Sequence, residues 1–327
     1  MTEASPRKKA RLTTKNLRLY TETLATASSH TCAQKHRAAG LVGERSDSVF
    51  SVTTMDEQFA PQLTRNGVRT TFTGAQTPTD LDSVSTRLFQ GRESPPPSPT
   101  QYDIYARKRN NLHNEGMTVG RLWPSIARDP SRRKQKYDEY IDIEWSDVNN
   151  PVITRNLYVA RPNIYEAFSY DCYPAKTLVA LPSLMPNSGC HHVFPSFACE
   201  ARHHRISTDD VATQCSYDGA LMVDSAWQAH QHMRGHAKDF FGLTKAVTVA
   251  FNGADVKIFL HHMQPAAEPR DPGLPDHEHH QVPVYEKTIK DHASFQKVVR
   301  VVRNAQDIGF DLAKTLKERL HEYESKA

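Results

Sequence analysis

The chain has 327 residues, of which 38% are hydrophobic, with a mean hydropathy of −0.63 and a formal net charge of +4. No run of about 18 apolar residues exists to span a bilayer. The small net charge excludes nucleic-acid binding through a global field and leaves local basic patches to do it.

So low a hydropathy implies that part of the chain stays outside any packed core. The five cysteines (Cys32, Cys172, Cys190, Cys199 and Cys215) are odd in number and irregularly spaced. They suggest no disulfide framework, and a reducing compartment is the simplest home. The N-terminus carries charges without the apolar stretch of a secretory signal.

In chain order, residues 1–55 read as a disordered basic tail with a short helix at 16–26. Within it Arg7, Lys8, Lys9 and Arg11 form P-R-K-K-A-R-L, a pattern that nuclear-import machinery reads. The expected location is therefore the nucleus, with the cytoplasm as the alternative. Residues 56–100 read as a partly ordered arm, in which Phe59, Leu63, Val68 and Phe72 pack on the main domain. The arm ends in the Ser/Pro-rich spacer E-S-P-P-P-S-P-T, of polyproline II type, where Ser94 and Ser98 each precede a proline.

Residues 101–327 read as one globular domain. A helix is expected over 102–124, with Tyr102, Tyr105, Leu112 and Val119 as apolar points and Asn114-Glu115 inside it. A basic run follows (Arg128, Arg132, Arg133, Lys134, Lys136), next to Tyr137 and Tyr140. Cations beside aromatics suit a nucleic-acid backbone and its bases. Short strands are expected at 153–160, 163–170 and 177–184, the last closed by the turn P-N-S-G. Next comes the apolar run V-F-P-S-F-A-C at 193–199, where polarity switches at Glu200-Ala201-Arg202. Strand periodicity puts Glu200 and Arg202 on one face, an acid beside a cation.

A helix follows over 209–233, capped by Ser207, Thr208 or Asp209. Asn252-Gly253 signals a hairpin between strands 246–251 and 256–261. A Pro-rich loop at 265–275 and a strand at 282–287 lead to an amphipathic helix over 295–323. Its stripe is Val298, Val299, Val302, Ala305, Leu312, Leu316 and Leu320.

The polar residues at the strand edges form an ordered set: Asn114-Glu115, Arg161-Pro162-Asn163, Glu200-Ala201-Arg202, and Gln214 with Tyr217 on the next helix. With the basic N-terminus and the Ser/Pro spacer, this order resembles the PD-(D/E)XK nuclease superfamily. More narrowly it is similar to a fungal branch carrying such a domain. The resemblance implies an α/β (α+β) fold with a restriction-endonuclease-like core, a central mixed sheet flanked by helices. It also implies that Glu115, Asn163, Glu200, Arg202 and Gln214 form the catalytic site. Glu115 and Glu200 would hold Mg²⁺ or Mn²⁺ to polarise a phosphate and activate water.

Two of these positions depart from the pattern. Asn163 stands for an Asp and loses the charge a hard cation favours. Arg202 stands for a Lys and brings a planar fork that does not deprotonate. Glu166, three residues past Asn163, faces the other side of a regular strand, so it replaces neither without a bulge.

The chain also holds 17 histidines, many in pairs, among them His261-His262 and His277 with His279-His280. Cys190-His191-His192 lacks the second ligand pair at short spacing that structural zinc sites show. Three readings follow. The first is a catalytically weakened or inactive nuclease fold acting as a nuclear nucleic-acid-binding module, DNA ahead of RNA, with Arg132, Arg133, Lys134 and Lys136 as contacts. The second is an active metal-dependent phosphodiesterase. The third is an assembly factor using the 295–323 helix.

Overall fold

The structure is a computed structural model that describes residues 52–54, 56–112, 114–128, 136–146, 150–181, 192–203, 205–266 and 276–326. All of these lie within one compact unit, Phe50–Ala327. The import motif Arg7, Lys8, Lys9 and Arg11, the helix expected at 16–26, and Arg132, Arg133 and Lys134 lie outside the described residues.

Among the described residues, seven strands make one mixed sheet in the order β1-β7-β6-β5-β4-β3-β2. They are β1 Val68–Arg69, β2 Tyr137–Ile141, β3 Ile164–Ser169, β4 His192–Ala201, β5 Ala246–Phe251, β6 Asp255–Pro265 and β7 His277–Thr288. β2, β3 and β4 form an antiparallel meander. β4 then pairs parallel with β5, and the connection between them is a helix of 25 residues, Thr208–His232. A parallel pair needs such a crossover because its strands must restart at the same end.

The named helices are α1 Phe59–Arg65, α2 Leu81–Phe89, α3 Pro99–Asn110, α4 Ala175–Ala180, α5 Thr208–His232 and α6 His292–Lys326. β4 is buried at every position, as expected of a strand covered on both faces. Phe197, Cys199 and Ala201 face a core shared with α6 through Val298, Val301, Val302 and Ala305. Ala198 faces the opposite core, shared with α5 through Tyr217, Ala220 and Leu221. Each fully buried large apolar side chain contributes about 1.5–3 kcal/mol.

Several sequence expectations change. Phe72 is 91% exposed, whereas Phe59, Leu63 and Val68 are buried. Ser98 caps α3, its Oγ accepting from the Gln101 N–H at 3.3 Å. The helix expected over 102–124 ends at Asn110 and resumes as short helical segments, Glu115–Met117, Thr118–Leu122 and Trp123–Ile126. Residues 153–156 are turns and 157–160 form no strand beyond a single parallel bridge from Leu157 to Val52, because Asn150 Oδ1 takes the Val152 N–H at 2.9 Å and curls the chain. The apolar residues there, Ile153 and Leu157, are buried outside the seven-stranded sheet.

Within 177–184, residues 177–180 belong to α4 and 182–184 lie outside the described residues. A short apolar run does not distinguish strand from helix. Strand β2 and helix α2 form where the sequence suggests only a basic loop and an irregular arm.

Gly219 lets α5 lie flat on the sheet. A Cβ built there would fall inside the imidazole of His261, which is itself fixed to Thr248 Oγ1 at 2.7 Å. Gly219→Ala is expected to cost about 1–2 kcal/mol, overpacking outweighing the better helix propensity of Ala. Urea unfolding of the variant checks this.

Candidate functional site

Five residues named from the sequence meet at the end of β4 that faces α5. Glu115 opens a helical turn that Asn114 caps, its Oδ1 accepting the Met117 N–H at 2.9 Å. An extended Asn with a free side-chain oxygen is a favoured cap, so Asn114 serves to place Glu115. Asn163 sits immediately before β3. Its Nδ2 donates to Glu115 Oε1 at 2.6 Å and its Oδ1 accepts the Ala201 N–H at 2.6 Å. The amide thereby joins β3, β4 and the helical turn, using a donor that a carboxylate lacks.

Glu200 and Arg202 share the face covered by α5. Arg202 forms an ion pair with Glu115 Oε2 through one guanidinium nitrogen. Through the other it donates to Gln214 Oε1 at 2.8 Å. Its backbone N–H bonds Phe251 O at 2.9 Å, which fixes where the side chain starts. The fork thus spans two partners at once, which a lysine ammonium on a flexible stem does less well.

Asp218 is a member of the site that no sequence motif marks. It lies four residues after Gln214 on α5, hence on the same face, and its carboxyl is hydrogen-bonded to that of Glu200. Both are almost fully buried, at 2% and 3% exposure. Burial first, and then the facing acid, pushes Glu200 well above the carboxylate range. Burial pushes Asp218 up to about 7, against the pull of Glu200 hydrogen bonding and Arg202. Two carboxyls this close share a proton, since both cannot ionise together in a desolvated site. Among the described residues Asp218 Oδ2 has no hydrogen-bond partner. The signal that would have found it is an acid on the inward stripe of a buried helix, where charges are rare.

Other named residues lie elsewhere. Tyr217 points away from Gln214 and donates to Tyr158 O at 3.1 Å, with its ring against Phe59. Glu166 faces the α6 side, paired with Arg128 at 3.2 Å and bonded to Gln306. Lys136, at the end of the basic run, pairs with Asp171 on the surface. Tyr137 is buried against Phe168 and Phe310, and Tyr140 stacks on Tyr165. Of the aromatics after the basic run, Tyr137 is therefore core and Tyr140 packs half-buried against the core, so neither is a free stacking platform. Cys199 and Cys215 are buried thiols pushed well above their ordinary range by burial. They are poor nucleophiles and poor ligands.

The residues that Mg²⁺ or Mn²⁺ would need fit such an ion badly. Glu115 is held by Asn163 and Arg202, Glu200 shares a proton with Asp218, and Asn163 is uncharged with both ends of its amide engaged. Among the described residues, only Asp224, His277 and His279 bring three ligand atoms within 4.8 Å of one another. Comparison with protein-family models, curated proteins and solved structures finds no match.

Proposed function

We propose that this chain is a nuclease-fold protein of PD-(D/E)XK type whose hydrolytic site has become a self-satisfied polar network, and that it acts as a nuclear nucleic-acid-binding module. The observation carrying the loss of chemistry is the Arg202 guanidinium, which occupies Glu115 and Gln214 in place of a cation and a water. The meander, the helical crossover and the meeting of Glu115, Asn163, Glu200, Arg202 and Gln214 at one strand end support the fold reading. Fold likeness alone would not carry a function.

Support for nucleic acid comes from cations on the rim of the site. Arg107, Lys108, Arg121 and Arg205 are exposed. Lys108 Nζ reaches Arg121 O at 3.3 Å, and His203 reaches Leu112 O at 3.3 Å, so α3 and the segment after Arg202 meet there. Lys136 lies at the other end of β3 from Asn163, away from this rim, and is paired with Asp171 yet largely exposed. The stripe of α6 is buried against the chain's own sheet at Val298, Val299, Val302 and Ala305, which argues against the assembly reading. No helix among the described residues is long and apolar enough to cross a membrane.

The test pairs binding with cleavage. The chain is expected to bind duplex DNA with affinity that falls steeply with salt. Replacing Arg132, Arg133 and Lys134 by Gln is expected to reduce the log–log salt slope by about 2–3, near 0.9 for each phosphate no longer neutralised. Neither Mg²⁺ nor Mn²⁺ is expected to support cleavage. Cleavage abolished by Glu200→Ala would overturn the inactive reading, and absence of binding at low salt would overturn the nucleic-acid reading.

A further inference from the structure

A second cluster of chemistry-bearing side chains lies farther along α5. His277 and His279 are two residues apart on β7, so they share a face. Gln281, on the same face, donates to Ala212 O of α5 at 2.9 Å, which places that face under the helix. Asp224 meets the two imidazoles there, and one ligand atom from each residue lies within 4.8 Å of the others. We infer that Asp224, His277 and His279 form a site for a divalent transition ion of the zinc class, separate from the network around Glu200 and independent of the nuclease reading.

The donor chemistry selects the ion. Two imidazoles and one carboxylate suit zinc and its borderline neighbours, whereas Ca²⁺ and Mg²⁺ demand more oxygen ligands. Bonds of about 2.0–2.1 Å to a tetrahedral ion set ligand atoms about 3.4 Å apart, so the three side chains need to close by at most about 1.4 Å on binding.

The carboxylate is already oriented. Asp224 Oδ1 accepts from Asn150 Nδ2 at 2.7 Å and Oδ2 from Gln228 Nε2 at 2.6 Å, each oxygen keeping a lone pair for the metal. Outer partners of this kind recur around metal-bound carboxylates. The rings of Trp227 and Phe241 lie 6.1 and 6.4 Å from His277 and wall the cluster with apolar surface. Asp224 and His279 are buried and His277 is only half-buried, so the cluster reaches the surface at that imidazole. Bound there, the ion would fasten α5 to β7, holding the helix that carries Gln214 and Asp218.

The test titrates metal-stripped full-length chain with Zn²⁺ by calorimetry and with Co²⁺ by visible absorption. The parent is expected to bind one equivalent more than His277→Ala. The Co²⁺ form of that site should show d–d bands without a thiolate charge-transfer band. Asn150→Ala is expected to keep the stoichiometry and to weaken binding by about 10–100-fold, as loss of an outer partner does. Circular dichroism checks that each variant is folded, and Asp224→Asn replaces His277→Ala if that variant is not. Equal stoichiometry and affinity in the parent and the folded variant would overturn the site. So would a thiolate band that accounts for all the bound Co²⁺.

Discussion

Asn163→Asp is expected to lower the thermal midpoint by about 5–10 °C in chelator and to regain most of that loss in excess Mg²⁺. The amide Nδ2 donates to Glu115 Oε1 at 2.6 Å, and the variant replaces that donor with an oxygen facing an oxygen. Loss of a charge-assisted bond together with a like-charge approach costs about 2–3 kcal/mol. In a chain of this size each kcal/mol moves the midpoint by roughly 2–4 °C. Arg202, already on Glu115, offsets part of the new negative charge. A cation between the introduced carboxylate and Glu115 relieves the rest, which is why stability becomes metal-dependent. Differential scanning calorimetry in chelator and in Mg²⁺ checks both halves. A variant as stable as the parent in chelator, or one indifferent to Mg²⁺, would remove Asn163 from its assigned place as the residue that closes the site to metal.

Relative to Asp218→Asn, the parent is expected to lose about 2–3 kcal/mol of unfolding free energy between pH 4 and pH 8. Burial raises the Asp218 carboxyl from the ordinary Asp value to about 7 in the folded chain. In this window the folded state therefore binds more protons than the unfolded one, and stability falls as pH rises through the folded value. Each unit of difference is worth about 1.4 kcal/mol, and sharing of the proton with Glu200 reduces the full amount. Glu200 is also raised well above the carboxylate range by burial, in the parent and the variant alike, so the comparison reads mainly the Asp218 contribution.

Comparison with the variant also cancels the buried histidines, which act in the opposite sense. His261 and His262 are pushed down to about 3 and about 4 by burial. They are neutral when folded, so they add stability as pH rises toward their ordinary value. Urea unfolding of both proteins at pH 4, 6 and 8 measures the difference. Parallel curves would show that Asp218 is not held protonated by the fold.

The order of short polar motifs made the site partly legible before the structure. Glu200 and Arg202 follow an apolar strand at spacing two, and that alone places them on one face. Asn114-Glu115 and Asn163 could be named, yet their bonding could not, because Asn163 joins segments 48 residues apart in sequence. On the proposed nuclease reading, the two departures share one cause. Arg at 202 reaches Glu115 and Gln214 together, and Asn at 163 supplies a donor to that same carboxylate. Both side chains are engaged within the network: Arg202 ties up a carboxylate, and Asn163 presents an amide in place of a charged oxygen.

Composition and periodicity by themselves determined the long elements. The crossover helix α5, the strand pair across Asn252-Gly253 and the closing helix α6 carry periodicities sustained over many residues. Short apolar runs at 153–160 and 177–184 carried no such signal, and local hydrogen bonding and packing decided them. Only the tertiary structure brought Asp218 to Glu200, and Asp224 to His277 and His279. A proton shared between two acids, or three ligands around one point, depends on distances between elements remote in sequence. Those distances are set by how closely a helix packs on a sheet, and at Gly219 a missing side chain permits that approach.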